Sequence, residues 1–83
     1  MDKVQLSSKK VVNLTATSTS EAMAMTGFYV NSTTGGTIAF SDGAGAITGT
    51  ITPAVGFHWF PYEFKTSVVA TIGGTLNVTL FGN

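Results

Sequence analysis

Apolar residues in this chain recur at every second position in short runs, and glycine separates the runs. Leu76, Val78 and Leu80 alternate with Asn77 and Thr79 before Phe81 closes the segment. Ile47, Gly49 and Ile51 alternate with Thr48, Thr50 and Thr52 in the same way. Successive side chains of a strand point to opposite faces, so each run reads as a strand with one apolar and one polar face. Val68, Ala70 and Ile72 form a further stripe, with Val69 adding apolar surface on the other side. Ile38 and Phe40 anchor a shorter strand, and Val12, Leu14 and Ala16 place one near the start.

The breaks between runs carry turn chemistry. Gly35-Gly36 and Gly73-Gly74 supply the positive φ that two-residue hairpins need. Residues 66–72 are therefore expected to pair with 75–81 as a hairpin. Residues 37–41 are expected to pair with 46–52 across a loop opened by Asp42-Gly43. Pro53 and Pro61 lack an N–H for a ladder and are expected to end strands. The segment Ser20–Met25 contains helix formers, and Ser18 with Glu21 resembles a capping box. So short a helix is marginal. The reading preferred is a strand from about Glu21 to Val30 with Gly27 at a bulge, and a short helix is the alternative. The expected fold is all-β: a small antiparallel β-sandwich or jelly-roll-like barrel of seven to eight short strands. It forms one domain over 11–83, preceded by a polar N-terminal arm over 1–10.

Size sets the next constraint. A domain of 83 residues buries only about 60% of its unfolded surface and usually needs disulfides, a metal or oligomerisation. There is no Cys, and one His with two Asp and two Glu is a poor set for a structural metal. No cofactor or metal is therefore expected. Oligomerisation is the remedy left, unless a well-packed aromatic core built from six Phe, two Tyr and one Trp suffices alone. Only eight residues are charged, none of them Arg, and the net charge is zero. A nucleic-acid partner would need a basic footprint that four Lys balanced by four acids cannot supply. The exterior must be built from fourteen Thr, seven Ser and ten Gly instead. No apolar stretch reaches the ~20 residues of a membrane helix. Residues 1–10 do not have the order of a signal peptide, so synthesis in a cytoplasm is expected.

Catalytic groups are sparse. His58 is the sole histidine, and no nucleophile or orienting carboxylate is placed beside it by any motif. Asp2, Glu21, Asp42 and Glu63 are scattered along the chain. Gly43-Ala44-Gly45 lacks the spacing and the following helix of a dinucleotide loop. Asn13, Asn31 and Asn77 each begin an N-x-S/T triplet, a glycosylation pattern only in a secreted eukaryotic chain. No enzyme activity is expected. The most notable local feature is aromatic: Phe57, Trp59, Phe60, Tyr62 and Phe64 surround His58. One reading puts Phe57, Trp59 and Phe64 in the core, His58 on the opposite strand face, and Phe60 or Tyr62 outward. The other makes the cluster a contact face, since Trp and Tyr anchor interfaces and stack on sugar rings. The candidate partner-contact residues are Trp59, Phe60, Tyr62, Lys9 and Lys10.

The layout also resembles a known group. Gly27-Phe28-Tyr29-Val30-Asn31-Ser32 is followed by Gly35-Gly36-Thr37-Ile38-Ala39-Phe40-Ser41-Asp42-Gly43 and Ile51-Thr52-Pro53-Ala54. The Phe60-Pro61-Tyr62 step comes next, then Val68-Val69-Ala70-Thr71-Ile72-Gly73-Gly74-Thr75 before a short closing strand. Over roughly 11–83 this texture is similar to small bacteriophage virion proteins, compact β-sandwiches of the capsid decoration, cement or head-fibre type. The stretch Trp59-Phe60-Pro61-Tyr62 is more aromatic here than in that group. The resemblance implies a non-enzymatic structural role on the capsid surface of the virion, with the major capsid protein and copies of the chain itself, in a dimer or trimer, as partners. The alternative is a carbohydrate- or receptor-binding module of a phage tail or fibre.

Overall fold

The computed structural model describes Lys10–Asn83. It is all-β and antiparallel, as the alternation predicts. The strands are β1 (Lys10–Leu14), β2 (Ser18–Glu21), β3 (Ala24–Asp42), β4 (Gly45–Ala46), β5 (Gly56–Glu63) and β6 (Ser67–Gly82). Lys10 opens β1 and pairs with Gly82. Lys9 and the rest of the arm lie outside the described residues.

Two strands are too long to be straight. β3 has 19 residues and β6 has 16. At about 3.3 Å per residue β3 would reach roughly 60 Å, yet the longest extent of the molecule is 41 Å. The two strands pair with each other from end to end and bend together. Gly35 (φ 64°) and Gly74 (φ 67°) adopt left-handed backbone at the bend, a conformation that costs glycine nothing. The ladder shifts register there, between Thr34 and Gly35, and again between Val30 and Ser32. The chains also approach closely: a Cβ on Gly36 would lie 2.5 Å from the Thr75 carbonyl oxygen.

This bend corrects the expected hairpin of 66–72 with 75–81. Those segments are the two halves of β6, and each pairs with β3. Gly73-Gly74 has positive φ at its second residue only. A type I′ turn needs it at both residues and a type II′ turn at the first, so the pair bends a strand and does not reverse it. By contrast Gly43, at φ 60°, is the first residue of the two-residue loop between β3 and β4, which is the II′ pattern. The pairing expected there is present: Ser41 opposes Ala46 and Asp42 opposes Gly45. Ile38 and Ile51 exchange two backbone hydrogen bonds of 2.9 and 2.8 Å. The described residues form six strands where seven to eight are expected, because two predicted pairs fuse into β3 and β6.

Bending doubles the sheet over on itself. The first layer is β1, 78–82 of β6, 24–30 of β3, and β5. The second is β2, 67–72 of β6, 37–42 of β3, and β4. Phe28 and Phe40 lie on the two halves of β3, yet their ring centroids are 5.4 Å apart. Phe40 also meets Phe60 at 5.3 Å and Phe64 at 6.3 Å. Val30, Ile38, Val68, Ala70, Val78 and Leu80 fill the rest of the core without solvent exposure.

The start of β3 takes the strand reading of its sequence, with β2 ending at Glu21 and β3 opening at Ala24. A bulge falls between Met25 and Gly27, where the glycine is needed. Pro61 does not end a strand; it lies inside β5. The ladder steps from Gly27↔Trp59 to Met25↔Tyr62, so Phe60 and Pro61 fall in the bulge of a strand that pairs only with β3 among the described residues. An edge bulge is where a missing N–H is tolerated.

Candidate functional site

The outer face of the first layer can be read from its register. One row runs Val11, Phe81, Gly27, Trp59 across β1, β6, β3 and β5. The next runs Asn13, Thr79, Tyr29, Phe57. Side chains in these rows point away from the core, because the alternate residues Leu80, Phe28 and Val78 are buried. Trp59 is 70% exposed, Phe57 49% and Tyr29 42%. Gly27 makes room for the arrangement. A Cβ on it would lie 2.6 Å from the Phe57 ring and 2.5 Å from the His58 carbonyl oxygen. The Phe57 ring therefore lies over the bare glycine, with its centroid 6.4 Å from that of Phe81. Exposed fractions of this size leave roughly 500 Å² of largely aromatic surface, at the upper end for a monomer's largest apolar patch and often functional.

The placement of Phe57 and Trp59 in the core is therefore overturned. Opposite faces for His58 and its neighbours are found, but in the reverse sense. His58 opposes Phe28 and stacks on that ring at 5.1 Å. Its Nε2–H donates to the Ala54 carbonyl at 2.8 Å. Phe60 is half-buried against the core, and Phe64 is buried as expected. Beyond the bulge Tyr62 opposes the inward Met25, so it sits at the inner rim beside Phe60 and Phe64, with ring centroids 6.4 and 4.9 Å away. The edge strand thus carries aromatic rings on both sides.

Next to the aromatic rows is a polar cluster. Asn13 Nδ2 donates to Asn77 Oδ1 at 2.8 Å and to Thr79 Oγ1 at 2.9 Å. Asn31 Nδ2 donates to the same two oxygens at 3.1 and 2.9 Å. The three Asn of the N-x-S/T triplets, far apart in sequence, are joined across β1, β6 and β3. The second layer's outer face is different in kind, presenting Thr19, Ser41, Ala46 and Thr71 with Val69 half-buried among them.

Charge is confined to one end. Lys10 Nζ lies 3.6 Å from Glu21 and donates to the Ala22 carbonyl at 2.7 Å. Glu63 opposes Ala24, whose backbone pairs with Asn83. The Asp42 carboxylate accepts backbone N–H bonds from Lys65 at 2.9 Å, Thr66 at 2.8 Å and Ser67 at 3.3 Å. Every charged residue described thus lies at the end opposite the glycine bend. The three N–H donors, led by that of Lys65, hold the Asp42 carboxyl below its ordinary 3.8, because they favour the ionised form. Asp42 is a clamp on the β5–β6 connection. Among the described residues no three His, Asp or Glu come together. A depression near Glu63 and Lys65, also lined by Met23 and Asn83, holds no aligned acid–base pair.

Of the candidate contacts, Trp59 is on the outer face, Phe60 and Tyr62 are at the inner rim, Lys10 is engaged by Glu21, and Lys9 is outside the described residues. Sequence reasoning missed Tyr29, Phe81 and Val11 as members of the face. Their signal was parity, since Tyr29 and Phe81 alternate with Phe28, Val30 and Leu80. No family model, no curated protein and no solved structure matches the chain.

Proposed function

We propose that this chain is a non-enzymatic structural protein of a bacteriophage particle, a decoration protein that seats on the assembled head and acts in many copies. One observation carries the reading: an uncharged aromatic face on one layer of the sandwich, set against a Thr- and Ser-lined face on the other. A face of Trp59, Phe57, Tyr29 and Phe81 suits a protein partner, because aromatic anchors dominate interface energetics. The major capsid protein is the partner proposed. Many copies on one shell add weak contacts into firm attachment. The virion assignment comes from the resemblance of the strand and turn texture.

The test is co-sedimentation of purified chain with heads that lack it. Saturable binding is expected, with Trp59→Thr weakening it by roughly 30-fold, the scale of an interface hot spot. Because the charges of the described residues lie away from the face, raising salt tenfold is expected to change affinity less than about threefold. Heads that take up no chain sink the proposal.

A second reading has its own observation. Trp59 and Phe57 lie beside the Asn13–Asn31–Asn77–Thr79 cluster, and an aromatic platform with neighbouring amides suits a sugar ring. On this reading the chain is a carbohydrate- or receptor-binding module. Trp59 fluorescence unchanged across a panel of bacterial surface glycans eliminates it.

A further inference from the structure

We infer that β5 is a pairing edge for a second copy of this chain, joining two molecules about a two-fold axis at His58 into one continuous sheet. The inference rests on the reading above that the chain works in many copies, and it names how two of them meet.

The described sheet has four terminal strands. β1, β2 and β4 have 5, 4 and 2 residues, and β5 has 8. β1 carries Lys10 and β2 carries Glu21, and these two hold each other. Charges, shortness and bulges are the usual devices that stop an edge from recruiting another strand. From Gly56 to Tyr62, β5 has no charge, and its bulge at Phe60-Pro61 protects only the distal part.

The free hydrogen-bonding groups of that edge can be assigned. The His58 carbonyl oxygen faces β3, within 2.5 Å of a Cβ built on Gly27. Backbone groups alternate sides along a strand. The N–H and C=O of Phe57 and Trp59 therefore point off the sheet. An antiparallel second copy uses both residues at once in one register, with Phe57 opposite the other copy's Trp59 and His58 on the axis. Each Phe57–Trp59 contact is then a cross-strand aromatic pair on the outer face. The two charged ends point in opposite directions, so no like charges are brought together.

The exposed parts of Phe57 and Trp59 amount to roughly 270 Å² per chain; pairing covers their flanks and leaves their outer faces open, so it removes less than about 550 Å² in total, below a standard interface and in the range of weak association. The pair is expected to form in the tens of micromolar in free solution and to be favoured where copies are concentrated on a surface. It also joins two aromatic faces into one.

Backbone amide hydrogen exchange of the full chain, followed by NMR at about 10 and 300 µM, separates this from other modes of contact. The Phe57 and Trp59 amides are expected to slow at least fivefold at the higher concentration, while the His58 amide is unchanged and sedimentation shows a dimer. The Phe57→Thr, Trp59→Thr double variant is expected to stay folded and monomeric. In a chain without Cys, His58→Cys is expected to form a disulfide dimer at least tenfold faster than Thr71→Cys on the other layer. A monomer at 300 µM overturns the inference, as does a dimer in which Phe57 and Trp59 exchange as before. Either result leaves head binding to be judged by co-sedimentation, and a dimer that ignores heads overturns the decoration reading alone.

Discussion

Replacing Gly27 with Ala adds one methyl group at the point where the aromatic face is assembled. That carbon would sit 2.5 Å from the His58 carbonyl oxygen and 2.6 Å from the Phe57 ring. The ring can swing away, but the oxygen belongs to the backbone of the paired strand. Relief requires β5 to move off β3, which strains their ladder at Gly27↔Trp59 and Phe28↔His58. Overpacking of this kind costs about 1–3 kcal/mol, and backbone at one of the two contacts places the expected cost near the top of that range. For a domain of this size each kcal/mol lowers Tm by about 4–8 °C, so a fall of roughly 10–20 °C is expected. Gly49→Ala is the control, since a Cβ there meets nothing within 4 Å, and it is expected to change Tm by less than about 4 °C. Adding Phe57→Ala to Gly27→Ala removes the ring contact and leaves the carbonyl contact, so it is expected to recover only part of the strain. The assay is thermal unfolding by circular dichroism, with Trp59 fluorescence reporting β5 directly. If Gly27→Ala melts within about 4 °C of the parent, the backbone of β5 does not approach Gly27 as closely as described, and the account of the face fails with it.

Two further variants probe what holds the fold. Phe40→Ala removes the ring that meets Phe28, Phe60 and Phe64 between the layers; a loss of about 3–5 kcal/mol is expected, enough to abolish a cooperative melt at 37 °C, and a retained sharp transition there contradicts the two-layer core. Asp42→Ala tests the clamp through pH. The folded carboxyl titrates below 3.8, so its contribution is fully present above that value and is lost as pH falls through the lower folded value. The parent's Tm is expected to drop more steeply below about pH 4 than that of Asp42→Ala, and parallel curves refute the role of Asp42.

Period-two alternation was enough to read the strands as strands, because a half-buried strand has no other way to place its side chains. It could not show where one strand ends and another begins. Leu76, Val78 and Leu80 alternate with the same parity whether Gly73-Gly74 reverses the chain or bends it. The difference lies in which glycine takes positive φ, and that is fixed by the approach of Gly74 to the Gly35 carbonyl across the fold. The orientation of β5 was hidden for a similar reason. Phe57-His58-Trp59-Phe60 is aromatic on both faces, so hydrophobicity does not choose an inner side. The choice is made by tertiary contacts: Phe28 takes the His58 ring on its inner face, and Gly27 leaves room for Phe57 on its outer face. The convergence of Asn13, Asn31 and Asn77 was likewise invisible, because it depends on the pairing of β6 with both β1 and β3.

The distribution of charge gives the molecule a second polarity, at right angles to that of its faces. Aromatic surface distinguishes one layer from the other, while Lys10, Glu21, Asp42, Glu63 and Lys65 distinguish the open end of the folded sheet from its glycine bend. On the proposed reading the body lies on the head with the aromatic layer down and the charged end to one side. Burial of the aromatic face takes no charge of the described residues out of water, so the proposed docking escapes the desolvation cost that charged interfaces meet. The scarcity of charge that leaves the body poorly protected against association is, on this geometry, what makes association through one face inexpensive.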